Sequence, residues 1–257
     1  MKPGSILLDL DGTIYQGRTL IPGATESLEL LKSALIPYRF ITNNTRMTKR
    51  NLVLMLKDMG LIISACDVFT APNAAAIYCQ NKGYNNILLA VSDKNIVEDF
   101  SKFNIVDHNP EAIVMGDMGD GFTFNLINNI FNHILNGAEL VAMHKNRFWI
   151  SDDGCKLDAG AFVSALEYAS RKPASVIGKP NSNLFLLASQ DWNIPVEKIL
   201  MVGDDIEGDV GGAINAGIKS ALVKTGKFRE ETLISSNIKP DFIINSIADL
   251  PGIIDFD

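Results

Sequence analysis

The chain has little of what marks several large protein classes. Its 257 residues include only three cysteines, Cys66, Cys79 and Cys155, widely spaced and odd in number, with no C-x-x-C pair and no nearby histidine pair. That spacing excludes a disulfide scaffold and a structural zinc site, and it predicts a reducing, cytoplasmic setting. No Lys/Arg-rich run is present, and 23 basic against 30 acidic residues leave a net charge of −7, which argues against nucleic acid as a partner. No window of about 18 apolar residues occurs. The first apolar run, Ile6 to Leu10, is interrupted by Asp9 and soon followed by Asp11, so neither a membrane span nor a signal peptide is expected. Gly/Ser or Pro linkers, fixed-period repeats and biased segments are missing as well, so any domain boundary is short.

What is present is the composition of an ordinary folded protein, with 47% hydrophobic and 21% charged residues, at a length suited to one large domain or a core with a smaller companion. Short apolar runs alternate with segments of helical period. Strands are expected near Ser5–Leu10 and Arg39–Thr42, with helices near Pro22–Leu35 and Thr48–Met59. Thr48 is suited to cap the second helix and Gly60 to end it. From Pro72 onward the pattern predicts a helix to Gln80, then strands Ile87–Val91, Ala112–Met115 and Leu140–Met143. Helices Asn95–Phe100, Thr123–Leu135 and Gly160–Ser170 fall among them, followed by Ser175–Ile177. A third stretch reads as helix Ser182–Ala188, strand Lys198–Val202, helix Val210–Ala216 and strand Ser220–Val223. The alternation predicts an α/β protein with parallel sheet. Periodicity alone leaves open whether one continuous sheet or a core with an insertion is built.

Four segments carry chemistry. Asp9-Leu10-Asp11-Gly12-Thr13 places two carboxylates at the end of a buried strand, on one face by the period of two, where ligands gather in open α/β sheets. Two such charges either cap the amides of the turn or hold a cation between them, and Mg²⁺ suits hard oxygen ligands. Thr42-Asn43-Asn44 ends the next strand with a hydroxyl and amides suited to phosphoryl oxygens. That role suits these residues better than the glycosylation sequon that Asn43-Asn44-Thr45 also matches. Gly178-Lys179-Pro180 brings one ammonium before a helix, and Gly203-Asp204-Asp205 repeats the pattern of apolar strand then acids, with Asp209 near a helix start. His108, His133 and His144 lack metal-ligand spacing. The run His144-Lys145-Asn146-Arg147-Phe148-Trp149 reads as a solvated strand edge, with recognition of a leaving group as the alternative.

These four motifs, in this order, resemble the haloacid dehalogenase superfamily of phosphatases. The long gap between Thr42 and Lys179 resembles the α/β cap inserted in its NagD-like subfamily. Leu157 to Phe162, Ala165 to Ala169 and Gly203 to Ala213 resemble a closer group that includes phospholysine phosphohistidine inorganic pyrophosphate phosphatase. The resemblance implies a doubly wound, Rossmann-like parallel-sheet core over 1–71 and 177–257, with the cap over 72–176. It implies Asp9 as nucleophile and Asp11 as acid/base, with Thr42, Asn43 and Lys179 on the phosphoryl group. It further implies Mg²⁺ held by Asp9, the carbonyl of Asp11, and Asp204, with Asp205 and Asp209 behind them. The expected partner is a small phosphorylated substrate, and a homodimer is consistent with the role of cap surfaces in related proteins. Runner-up activities are a phosphoramidase or inorganic pyrophosphatase, and a catalytically silent phosphate-binding protein on the same fold.

Overall fold

The computed structural model describes residues 2–151 and 154–255. The chain divides into two compact units, one comprising residues 1–42, 52–69 and 179–257, the other residues 43–51 and 70–178.

In the first unit, the run Ser5–Leu8 is buried at every position, as is Ile199–Gly203. A strand covered on both faces has no solvated side and so carries no polar alternation. These two strands pair in parallel at the centre of a six-stranded sheet, with Leu7 opposite Met201. On one side lie Tyr38–Thr42 and then Val68–Thr70; on the other, Lys219–Val223 and then Phe242–Ile244. The chain therefore builds outward from Ser5–Leu8 in one direction, returns, and builds outward in the other. That reversal is the doubly wound arrangement, and its switch point lies between Ser5–Leu8 and Ile199–Gly203. The acids of the first and fourth motifs follow directly on these two strands.

Helices cover the sheet through their apolar stripes. Ala24–Ser33 buries Ala24, Leu28 and Leu31, and Ser182–Ser189 buries Leu184, Phe185 and Ala188. Each large aliphatic or aromatic side chain so placed contributes about 1.5–3 kcal/mol of burial. Lys49–Asp58 starts where Thr48 Oγ1 accepts from the Asn51 amide at 3.1 Å, and ends where Gly60 takes φ +102°. The expected helix Val210–Ala216 begins earlier instead. A π-helical turn over Ile206–Gly211, with the Val210 amide reaching the Asp205 carbonyl at 3.2 Å, leads into Gly212–Asn215. The edge strands Val68–Thr70 and Phe242–Ile244, three residues each, are too short to show a period.

The second unit is a five-stranded parallel sheet in the order Asn104–Ile105, Asn86–Ala90, Ala112–Met115, Glu139–Ala142, Ser175–Val176. It too reverses direction, between Asn86–Ala90 and Ala112–Met115. Phe124–Leu135 and Ala159–Ser170 pack with Leu88, Ile113, Met115 and Leu140 in its core. Phe148–Ser151 and Gly154–Leu157 form an antiparallel hairpin with Phe148 half exposed; the Trp149 side chain lies outside the described residues. His144, within the run read as a strand edge, is instead buried at 3% exposure. Residues 43–51, placed with the core from the sequence, group with this second unit. The physical reason is a pair of contacts across some seventy residues of sequence: Thr45 Oγ1 accepts from the Asp117 amide at 3.0 Å, and Arg46 pairs with the Asp117 carboxylate at 2.5 Å.

Candidate active site

At the switch point of the first unit, Asp9 leaves its strand with its amide bonded to the Val202 carbonyl at 2.9 Å, so its backbone still follows the sheet. Asp9 is 6% exposed. Lys179, at 7% exposure, reaches into the same space, donating to Asp9 Oδ1 and, at 2.7 Å, to Asp209 Oδ1. Burial alone would lower the Lys179 pKa, but Asp209 and Asp9 outweigh it and hold the ammonium firmly charged.

Asp209 is completely buried on the π-helical turn, and its other oxygen accepts from the Asp205 amide at 3.1 Å. The wide turn brings an acid four residues past Asp205 back over the strand end, an inward placement that such turns often provide at functional sites. Gly203 makes room for it. A Cβ on Gly203 would lie 2.2 Å from Asp209 Oδ2.

Asp204 is held from a third direction. Its Oδ2 accepts the Lys227 amide at 2.6 Å, and Cβ atoms on Gly12 or Gly226 would fall 2.1 and 2.0 Å from that oxygen. Asp205 lies further out, accepting at Oδ1 from the Glu207 and Gly208 amides and at Oδ2 from Lys227 Nζ at 3.2 Å. Asp11 stands next to the turn at Gly12, partly covered and partly open to solvent.

Ligand oxygens of Asp9, Asp204 and Asp209 lie within 4.8 Å of one another. Burial, then the charge of Asp9, pushes the pKa of both Asp204 and Asp209 upward. Asp11 is raised by desolvation and then by Asp9, so its carboxyl binds a proton more readily than an isolated aspartate. Asp205 goes the other way. Burial would raise it, but Lys227 and the Gly208 amide outweigh that and keep it ionised. Five carboxylates thus face two ammonium groups, and hard oxygen donors left with this excess of negative charge fit a divalent cation. Asp9 and Asp204 are the side chains suited to hold it, because both oxygens of Asp209 are engaged by Lys179 and the Asp205 amide.

Of the other expected residues, Thr42 is buried at the end of the neighbouring strand, beside the strand that delivers Asp9. Asn43, the next residue, belongs to the second unit, where its side chain lies against Gly178. Sequence reasoning assigned no role to the turn at Thr225-Gly226-Lys227, whose contacts with Gly12 and Asp204 span more than twenty residues of sequence. It also missed a cavity of about 730 Å³ in the second unit, lined by Arg46, Ser92, Asp93, Gly119, Asp120, Lys156, Leu157 and Phe162. Ser92 and Asp93 follow Asn86–Ala90, and Gly119 and Asp120 follow Ala112–Met115. The cavity therefore lies at the switch point of that sheet, where α/β sheets take ligands.

Comparison with known proteins agrees with this arrangement. Residues 6–106 match the model of the haloacid dehalogenase-like hydrolases, and residues 176–250 match a second model of hydrolases of the same type. Haloacid dehalogenase-like hydrolase domain-containing protein 2 of Bos taurus is 39% identical over 225 residues, covering 88% of this chain and 85% of that protein. Phospholysine phosphohistidine inorganic pyrophosphate phosphatase of Xenopus laevis is 33% identical, covering 95% and 92%. Among solved structures, a 4-nitrophenylphosphatase of Thermotoga maritima is 29% identical with a TM-score of 0.91, covering 98% of each chain. NagD of E. coli K-12, at 22% identity, full coverage of both chains and a TM-score of 0.88, shares the fold. With its motif acids gathered at one switch point and these relatives matching nearly end to end, the chain belongs to the haloacid dehalogenase-like hydrolases.

Proposed function

We propose that this protein is a Mg²⁺-dependent phosphohydrolase that works through an aspartyl-phosphate on Asp9. The observation that carries the reading is the buried contact of Lys179 with both Asp9 and Asp209 inside the Asp9–Asp204–Asp209 cluster. Phosphatase names among the relatives support it.

In the first half-reaction, an Asp9 carboxylate oxygen attacks phosphorus in line as the bond to the leaving group breaks. Asp11, its pKa raised, gives that group its proton. In the second, Asp11 takes a proton from water as the water oxygen attacks phosphorus, and Asp9 is released. Phosphoryl transfer needs positioning and charge stabilisation more than covalent chemistry. Lys179 supplies fixed positive charge beside the nucleophile, and Thr42 with the Asn43 amide is assigned to the phosphoryl oxygens. Asp9, the Asp11 carbonyl and Asp204 would hold Mg²⁺, which when bound neutralises charge on the phosphoryl oxygens. Asp209 orients Lys179, and Asp205 supports the loop.

The second unit is assigned the role of cap. Its two segments, 43–51 and 70–178, begin directly after Thr42 and end directly before Lys179, the two residues assigned here to the phosphoryl group. Its cavity combines cationic, anionic and aromatic groups suited to a small polar ligand. Among the described residues no helix is long and apolar enough to cross a membrane, and all three cysteines are free, which supports a cytoplasmic setting.

Phosphate release from phosphorylated metabolites, para-nitrophenyl phosphate, pyrophosphate and phospholysine, each with Mg²⁺ and with EDTA, tests the reading. Mg²⁺-dependent release is expected, and preference for pyrophosphate or phospholysine would mark the activity named in the Xenopus relative. No release from any of them, with Mg²⁺ still bound, would favour a silent phosphate-binding protein.

A further inference from the structure

We infer that the turn Thr225-Gly226-Lys227 is a positioning clamp that fixes Asp204 and the Gly12 turn in register for metal binding. The inference rests on the Mg²⁺ site proposed above. Three contacts converge. Thr225 Oγ1 donates to the Gly12 carbonyl at 2.5 Å, and the Lys227 amide donates to Asp204 Oδ2 at 2.6 Å. Between them, Gly226 and Gly12 enclose that oxygen so closely that a Cβ on Gly226 would lie 2.0 Å from Asp204 Oδ2 and 2.6 Å from the Gly12 Cα.

The two ends of the clamp serve two ligands. Asp204 is a carboxylate assigned to the cation. Gly12 follows Asp11, whose carbonyl is assigned to the same ion, so a hydrogen bond that pins Gly12 limits the freedom of the peptide before it. Gly12 has φ +89° and Gly226 φ +59°, a backbone region that glycine enters without steric cost. Side chains at either position would both strain the turn and displace Asp204. Lys227 Nζ adds a third tie, to Asp205 Oδ2 at 3.2 Å. The turn itself contributes no side-chain ligand. What it supplies is pre-organisation, the support that outer hydrogen bonds give to metal ligands and whose loss typically costs about 10–100-fold in metal affinity.

The test is calorimetric titration of Mg²⁺ into the full chain without substrate, together with steady-state kinetics. Thr225→Val removes the hydroxyl at nearly constant shape, and Thr225→Ser restores it. The Val variant is expected to bind Mg²⁺ about tenfold more weakly, with KM for substrate at saturating Mg²⁺ unchanged and the Ser variant within about twofold of wild type. Gly226→Ala is expected to bind Mg²⁺ about 100-fold more weakly while keeping its circular dichroism spectrum. Wild-type Mg²⁺ affinity in a folded Thr225→Val protein would overturn the clamp and leave the phosphatase reading intact. Equal loss of affinity in the Val and Ser variants would also overturn it, since the hydroxyl would then not be the cause. No Mg²⁺ binding by the wild type would overturn both.

Discussion

Acidification is expected to stabilise the metal-free protein, against the usual behaviour of a protein rich in ion-paired carboxylates. Asp204 and Asp209 are 2% and 0% exposed and share their surroundings with Asp9. Burial first, and the Asp9 charge next, raise both above the ordinary aspartate value of 3.8. An acid whose pKa is higher folded than unfolded binds more protons in the folded state across the interval between the two values. There the derivative of stability with respect to pH is negative, and stability grows as pH falls. The slope is about 1.4 kcal/mol per pH unit for each proton taken up, so one carboxylate titrating over two units contributes up to about 2.7 kcal/mol. Urea unfolding in EDTA, from about pH 7.5 to about pH 5.5, measures it while staying above the range where lowered carboxylates such as Glu139 and Asp205 lose their contribution. The quantity to read is the difference between wild type and Asp204→Asn, in which the three histidines cancel. Saturating Mg²⁺ competes with these protons and should flatten or reverse the slope, while adding about 2.7 kcal/mol at 100 times its Kd. A metal-free protein that loses stability on acidification in this window, relative to Asp204→Asn, would refute the argument that the cluster is short of positive charge.

Three further outcomes follow from single contacts. Asp9→Asn should abolish phosphate release while leaving the unfolding transition cooperative, because the amide keeps the shape but lacks the nucleophilic oxygen; undiminished turnover would remove Asp9 from the mechanism. Gly203→Ala should cost about 1–3 kcal/mol in thermal unfolding and lower activity sharply, since its methyl would sit 2.2 Å from Asp209 Oδ2; full activity in that variant would show that Asp209 can move freely. In the second unit, burial would raise the Glu139 pKa, but hydroxyls of Ser175, Tyr84 and Tyr78 outweigh it and lower it. Glu139 therefore stabilises the fold above its unfolded pKa and loses that contribution as pH falls through the folded value. Tyr84→Phe should lower stability by about 1 kcal/mol at neutral pH, with the difference shrinking in acid; an unchanged melting temperature at neutral pH would count against the network.

Much of this protein could be read along the chain because the signals were local. The acids of the first and fourth motifs each follow an apolar strand directly, so period and position alone put Asp9, Asp11, Asp204 and Asp205 at strand ends. Thr48 and Gly60 marked their helix by chemistry acting within one turn. Asp209 was harder, because a helix expected from Val210 left it outside, whereas the π-helical turn from Ile206 carries it inward and buries it. The short strand Phe242–Ile244 shows no period of its own and exists because Lys219–Val223 offers it an edge.

The sequence by itself determined the order of the motifs, the alternation of strands and helices, and hence the hydrolase family. Each of these depends on residues close in sequence or on a pattern preserved by the chain's own period. Only the tertiary structure decided that residues 43–51 group with the second unit through Thr45, Arg46 and Asp117. It alone decided that Thr225, Gly226 and Lys227 close around Gly12 and Asp204. These contacts join segments separated by tens to hundreds of residues. Parallel strand order, a property of the whole sheet, brings such segments together, and no local pattern encodes which turn will meet which carboxylate.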